Sequence, residues 1–118
     1  METEDLTQER IAINQSRFRE ANERIELAAD RMGLMGPIPF ICECADRSCV
    51  EIVRITLEDY EEIRHDARLF LCAPGHQALA VEAGAAVVVG ERPGYVLVEK
   101  QGVAGEVAAA DYEAQNPE

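Results

Sequence analysis

Residues 41–49 read ICECADRSC, and they place Cys42, Cys44 and Cys49 within eight consecutive positions. Three thiols at this spacing are typical of a disulfide, of a redox switch or of a metal site to which they supply three of the four ligands. Their C-x-C-x4-C pattern departs from the common C-x2-C zinc knuckle, although one turn still allows chelation by all three. Zinc takes four tetrahedral thiolate and imidazole ligands, so a metal site needs a fourth ligand from elsewhere in the chain.

The fourth ligand has three candidates in the sequence, His76, Cys72 and His65. We favour His76, because the Pro74-Gly75 turn before it can present an imidazole beyond the end of a strand. Cys72 closes the apolar run 69–71, and a buried free cysteine behaves as a small hydrophobic residue. His65 falls at the end of a predicted helix, where a cation is favoured without any metal. Cys72, His65 or a water molecule therefore stay open as alternatives.

The composition is that of one acidic globular domain. The chain has 118 residues, 47% of them hydrophobic, which is enough to bury a core. Its 23 acidic and 11 basic residues give a net charge of −12, which is distributed along the whole chain. A surface of this sign repels phosphate backbones, so we expect no nucleic-acid binding. An acidic DNA mimic is the alternative to an ordinary solvated acidic surface.

The sequence shows no signal for secretion or for membrane insertion. The first ten residues, METEDLTQER, are polar and acidic, whereas a secretory signal needs a basic start and an apolar run. No apolar stretch approaches the roughly 20 residues that a membrane-spanning helix needs. We therefore predict a cytoplasmic protein. Thiols stay reduced in that compartment, which favours metal ligands or redox-active cysteines over structural disulfides.

The first 36 residues predict one long helix, because residues 3–32 contain no glycine or proline and many strong helix formers. An apolar residue recurs every seven positions along this helix, at Ile11, Phe18, Ile25 and Met32. The stripe predicts either packing along the globular part or pairing with a second copy as a coiled coil, with Asn14 fixing the register. Because three heptads are marginal for a free coiled coil, a homodimer would also use the globular part.

Residues 37–101 predict a compact module of short strands and helices, and residues 102–118 predict a loose acidic tail. Strands are expected at 39–42, 50–55, 69–72, 86–89 and 95–100, with a turn over 90–94 joining the last two as a hairpin. Short helices are expected at 57–64, capped by Thr56, and at 77–83. The predicted fold is therefore α+β: a long N-terminal helix, then a small zinc-clamped antiparallel or mixed sheet with one or two short helices.

Several segments together resemble a group of small, uncharacterised actinobacterial proteins. The segments are RFREANERIE, PFICECADRSC, ITLEDYEEIR, RLFLCAPGH and GYVLVEK, and they cover most of residues 10–100. The most specific part of the shared pattern is the Cys-Glu-Cys…Cys set with its distant Ala-Pro-Gly-His turn. The resemblance implies Cys42, Cys44, Cys49 and His76 as the recurring cluster, with Cys72 outside it. It implies no activity.

The sequence lacks the common signatures of an enzyme. It contains no phosphate-binding or dinucleotide-binding glycine motif and no nucleophile elbow. Glu43 lies between two candidate ligands, but the zinc deaminases place their glutamate after a histidine ligand and follow it with P-C-x-x-C. Four protein ligands leave no open position on zinc, which is typical of a structural metal.

We therefore predict a small cytoplasmic Zn²⁺-binding protein that works through interaction, as a regulator or adaptor whose partner is another protein or a second copy. Its zinc would be structural and bound by Cys42, Cys44, Cys49 and His76. The alternatives are a thiol-based redox or metal-responsive sensor, a small zinc-dependent enzyme in which water replaces His76, and the acidic DNA mimic.

Overall fold

The computed structural model describes residues 2–115 and has the predicted α+β fold with a long N-terminal helix. Its elements follow in the order α1 (Glu2–Met32), β1 (Pro37–Ile41), β2 (Ile52–Thr56), α2 (Leu57–Arg64), β3 (Leu69–Cys72), α3 (Ala78–Glu82), β4 (Ala86–Arg92), β5 (Tyr95–Lys100) and α4 (Gly102–Gln115). The strands form two antiparallel sheets: β1 pairs with β2, and β5 lies between β3 and β4. None of the helices in this part of the chain is long and apolar enough to cross a membrane.

Helix α1 packs along the globular part of its own chain, which is one of the two arrangements that its heptad stripe predicts. Ile11 is buried and Ile25 packs against the core, while Phe18 is half-buried. Met32, the last residue of the stripe, is 71% exposed. The helix lies against α4 and β1. Most of the stripe is thus used within the chain, and pairing with a second copy stays a prediction.

The two-stranded sheet and α2 form one part of the core. Exposed prolines alternate along β1 with Ile38 and Phe40, which are buried, so one face of this strand is apolar. The ring of Phe40 stacks on Tyr60 of α2, with the ring centroids 4.1 Å apart. Thr56 caps α2 as predicted, since its hydroxyl accepts a hydrogen bond from the backbone N–H of Asp59 at 3.1 Å. These contacts fix the strand that leads into the cysteine segment.

The hairpin of β4 and β5 is present, but its predicted turn over residues 90–94 is wrong. Strand β4 continues to Arg92, which pairs with Tyr95, so the connection is only the two residues Pro93 and Gly94. The pairing shifts register between Val88 and Gly90, which marks a β-bulge. A glycine inside a strand is a frequent bulge position, and this one gives the same sequence signal as a turn. The φ angle of +87° at Gly94 is the conformation that a tight turn requires.

The residues after Gln101 form helix α4 over 102–115, where a loose tail was predicted; residues 116–118 lie outside the described part. Alanine and glutamate favour a helix, but the sequence does not reveal that this helix has a surface to pack on. That surface is α1, and Ala108 is buried in the common core. Gly105 allows α4 to lie close to the end of β5, because a Cβ atom at this position would lie 2.8 Å from the backbone oxygen of Lys100.

The close contacts at Gly105 should reverse the usual effect of a glycine-to-alanine substitution on helix stability. Replacing glycine by alanine inside a helix normally stabilises it by about 1 kcal/mol. Gly105→Ala should instead lower the free energy of unfolding by about 1–3 kcal/mol, because the new methyl group overlaps Arg68 and the Lys100 carbonyl. Urea denaturation measures the change, and Ala110→Gly at an exposed position of α4 is the control for helix propensity. A stabilised Gly105→Ala variant would contradict the packing of α4.

Candidate metal centre

Four side chains that the sequence predicts as ligands come together at one point in the structure. Cys42, Cys44 and Cys49 lie on the segment that connects β1 to β2, and His76 lies on the turn after β3. One potential ligand atom from each of the four lies within 4.8 Å of every other. The cluster therefore joins two segments that are separated by the whole of β2, α2 and β3.

The cysteine segment is held in place by backbone hydrogen bonds on both sides. The N–H of Cys42 donates to the carbonyl of Glu51 at 3.0 Å, and the N–H of Glu43 donates to the carbonyl of Leu71 at 2.8 Å. The Asp46 carboxylate accepts hydrogen bonds from the backbone N–H and the hydroxyl of Ser48, at 2.9 and 2.7 Å. This local turn reverses the chain between the second and third cysteines, as their spacing requires.

The turn that carries His76 is equally defined. The N–H of His76 donates to the carbonyl of Ala73 at 3.0 Å, and Gly75 has a φ angle of +90°. The backbone N–H of Ala73 donates to the sulfur of Cys42 at 3.2 Å. A hydrogen bond of this kind favours a negatively charged sulfur, which is the form that binds metal. The turn thus supplies one ligand and supports another.

Burial differs across the cluster. Cys42 and Cys44 are fully buried, at 0% and 1% exposure, whereas Cys49 and His76 are only half-buried. The sulfur of Cys49 lies 3.3 Å from Nδ1 of His76. The cluster therefore has a closed side towards the core and an accessible edge formed by Cys49 and His76.

The thiols of the cluster resist ionisation when no cation is near. The hydrogen bond with Cys44 lowers the pKa of Cys42, but the hydrogen bond with Cys72 and burial outweigh it and raise that pKa to about 12. The pKa of Cys44 is raised by its hydrogen bond with Cys42 and by burial, and the pKa of Cys49 is raised mainly by burial. A bound cation reverses this preference, because a coordinating thiol loses its proton.

The two alternative ligands stand apart from the cluster. Cys72 is 1% exposed, and its sulfur donates to the carbonyl oxygen of Glu43 at 3.6 Å. It neighbours Cys42 through a thiol–thiol hydrogen bond but is not one of the four clustered residues. His65 is exposed at the C-terminal cap of α2 and is likewise outside the cluster.

Between the two buried cysteines, the Glu43 carboxylate is completely buried and satisfied by hydrogen bonds. Arg19 donates to it twice, from Nε at 2.9 Å and from a terminal nitrogen at 3.1 Å. Asn22 donates at 2.9 Å, the Tyr60 hydroxyl at 3.0 Å and the Leu71 backbone N–H at 3.1 Å. Burial alone would raise the pKa of Glu43, but the charge of Arg19 and these hydrogen bonds hold it below its usual range. Glu43 is therefore ionised and fixed.

Helix α1 provides two of these partners, and both also bind the backbone. Arg19 donates to the carbonyl of Leu69, and its guanidinium lies over the ring of Phe70 at 4.0 Å. Asn22 exchanges two hydrogen bonds with Ile41, accepting from its N–H at 2.7 Å and donating to its carbonyl at 2.8 Å. Helix α1 is thus locked onto the last residue before the cysteine segment.

A third α1 side chain, Asn14, donates to the carbonyl of Ala45 at 3.0 Å. The sequence interpretation assigned Asn14 to the register of a coiled coil and gave no role to Arg19 or Asn22. The available signal was Glu43 itself, because a carboxylate among apolar residues and cysteines needs a buried cationic partner. Arg19 and Asn22 are three positions apart in the helix and therefore share a face.

The donor set consists of three thiols and one imidazole, and these donors lie close enough together to hold a metal ion. Comparison with known protein families, with curated proteins and with solved structures finds no match for this chain.

The buried ion pair gives a prediction for folding. Glu43→Gln removes the negative charge and leaves the guanidinium of Arg19 buried without its partner. We expect the free energy of unfolding to fall by about 3–5 kcal/mol, measured by urea denaturation at a fixed metal concentration. The double variant Arg19→Met, Glu43→Gln should recover part of the loss, and Glu58→Gln on the exposed face of α2 should have little effect. Wild-type stability of the Glu43→Gln variant would contradict the prediction.

Proposed function

We propose that this protein binds one structural zinc ion through Cys42, Cys44, Cys49 and His76 and acts as a small interaction or regulatory protein. The observation that carries the proposal is the convergence of these four donor atoms within 4.8 Å. Thiolate and imidazole donors suit zinc, whereas magnesium and calcium prefer oxygen donors.

A structural role is favoured over catalysis by the number and the surroundings of the ligands. Four protein ligands complete a tetrahedral site and leave no position for a reactive water. The neighbouring carboxylate, Glu43, has both oxygens engaged by Arg19, Asn22, Tyr60 and the Leu71 backbone, so it is not free to move a proton. The two buried ligands also lie on the side of the cluster that solvent does not reach.

The zinc would stabilise the fold by joining the cysteine segment to the turn after β3. The segment from Cys42 to Val50 has no strand or helix of its own, so metal binding would restrict it. The four ligands come together only in the folded chain, so the free energy of metal binding adds to the free energy of unfolding. Loss of the metal should therefore loosen this segment before it disrupts α1, which Arg19 and Asn22 hold independently.

The proposed interaction role involves the exposed end of α1. Ile11 and Ile25 already pack inside the chain, but Met32 and the following Met35 are 71% and 93% exposed. A protein partner or a second copy would contact this end of the helix. Sedimentation velocity of the metal-loaded chain, compared with Met32→Glu, separates a self-associating protein from one that binds another partner.

A thiol-based sensor is the second candidate, and the accessible edge of the cluster favours it. Cys49 is half-buried, so an oxidant can reach one ligand without unfolding of the chain. Oxidation of a zinc-bound thiolate releases the metal. Rapid loss of zinc at low peroxide concentration would favour the sensor, and retention of zinc would favour the structural role.

The zinc assignment is tested by metal analysis of chain purified without chelators. We expect one zinc per wild-type chain, and markedly less zinc with lower stability for Cys44→Ser, because serine cannot replace a buried thiolate ligand. Cys72→Ser is the matched control: this cysteine is equally buried but lies outside the cluster, so zinc content should stay at one per chain. Wild-type chain without zinc would refute the proposal, and loss of zinc in Cys72→Ser would reassign the ligand set.

The affinity for metal should fall as the pH is lowered. The raised pKa values of the three thiols mean that they are protonated at neutral pH in the metal-free chain, so zinc must displace their protons. We expect release of close to three protons per zinc, and an affinity that falls as the pH is lowered. Calorimetry in buffers of different ionisation enthalpy measures the release. Binding without proton release would contradict thiolate coordination.

A further inference from the structure

Lys100 is the only lysine of the chain, and it is buried, with 1% of its surface exposed. Its Nζ atom has no hydrogen-bond partner among the residues that the structure describes. Lysine is almost never fully buried unless its charge is paired, because an isolated ammonium in the protein interior is costly. An unpaired group of this kind points to a counter-charge that the protein atoms alone do not supply.

The surroundings of Lys100 contain one more cation than anion. Its Nζ lies 4.7 Å from the centre of the Phe70 ring, and the guanidinium of Arg19 lies 4.0 Å from the same ring. The nearby carboxylate of Glu43 is already bound twice by Arg19. Ring contacts favour both cations but do not neutralise the second one.

Four groups act on the charge of Lys100: Cys72 of β3, Glu43 and Cys44 of the cysteine segment, and Arg19 of α1. Burial is the largest influence, and it lowers the pKa of Lys100 to about 8 in the absence of metal. Glu43 acts in the opposite direction, through the negative charge of its carboxylate. Lys100 and Arg19 share the ring of Phe70, Arg19 binds Glu43, and Glu43 lies between Cys42 and Cys44 in the chain, so these buried groups lead from Lys100 to the proposed metal centre.

The proposed centre has the charge that is missing. Three thiolates and a neutral imidazole around a divalent cation carry one net negative charge, and that charge is fixed by the number of cysteines. Together with Glu43, Arg19 and Lys100, the metal-bound core is electrically balanced. Without a bound metal, the Nζ atom of Lys100 is buried and has no partner among the described residues.

We propose that Lys100 is the buried counter-charge of the metal–thiolate centre, a positioning residue that favours binding of a divalent metal by three thiolates. This inference rests on the proposed function, because it requires a metal at the four-residue cluster. It also assigns two opposite effects to one side chain. Lys100 stabilises the metal-bound chain by its charge, and it destabilises the metal-free chain by the burial of that charge.

The wild-type protein gives the first test, since a single lysine yields a single side-chain signal in a nuclear magnetic resonance spectrum of lysine-labelled chain. We expect the Lys100 amine to titrate at a higher pH in the zinc-loaded protein than in the metal-free protein, because a negative centre holds its proton. An equal or lower titration pH in the zinc-loaded protein would overturn the proposal. This measurement needs no variant and does not depend on the folding of one.

A matched set of variants gives the second test. Lys100→Met should weaken zinc binding about tenfold in chelator competition, as expected for the loss of one charge interaction in the interior. The same variant should raise the stability of the metal-free chain. Lys100→Arg should keep the affinity. Gln15→Met is the control, because Gln15 is equally buried and its amide also has no described partner, but it carries no charge.

The outcomes separate this inference from the proposed function. If wild-type chain binds no zinc, the proposed function fails. If wild-type chain binds zinc and Lys100→Met binds it equally well or more tightly, only the role of Lys100 fails. An equal loss of affinity in Gln15→Met would assign the effect to packing and would also overturn the charge argument.

Discussion

The bidentate pair between Arg19 and Glu43 holds the long helix α1 against the cysteine segment, and further hydrogen bonds of Glu43 add α2 and β3 to the same junction. A buried carboxylate is costly in isolation, so its position is fixed by the groups that satisfy it. Those groups come from α1, α2 and β3, and together they hold the residue that lies between two metal-ligand candidates. Because Cys42 and Cys44 are the chain neighbours of Glu43, the ion pair orients both thiols even when no metal is bound.

The cysteine segment also connects the two sheets, whose strands do not pair with one another in the described part of the chain. The hydrogen bond from the Glu43 N–H to the Leu71 carbonyl places the segment beside β3, while the Cys42 N–H remains bonded to the residue before β2. A metal at the cluster would give the same segment a second connection, to the turn that carries His76. Hydrogen bonding and the proposed coordination would therefore act on the same junction.

The sequence predicts local features well and tertiary partners poorly. The three-cysteine motif, the cap at Thr56 and the long helix follow from spacing and residue type, which are properties of neighbouring positions. His76 was favoured on its residue type and on the Pro74-Gly75 turn before it, with Cys72, His65 and water still open. The partners of Glu43 lie up to 28 residues away in the chain, and nothing in their local pattern identifies them. The loose tail predicted after Gln101 is instead helix α4 over 102–115, and it was missed for the same reason, since α4 packs on α1. The β4 bulge was missed because a strand glycine and a turn glycine look alike in sequence.

The burial of Lys100 leaves the folded chain without an exposed lysine amine, because every other basic side chain that could carry a permanent charge is an arginine. Modification of the lysine side-chain amine is therefore blocked in the native fold, since Lys100 is 1% exposed. Such modification requires opening of the core around Phe70, so its rate reports the population of opened molecules. The Lys100 side chain is thus a built-in probe of core exposure, and a metal bound at the proposed centre should slow its reaction.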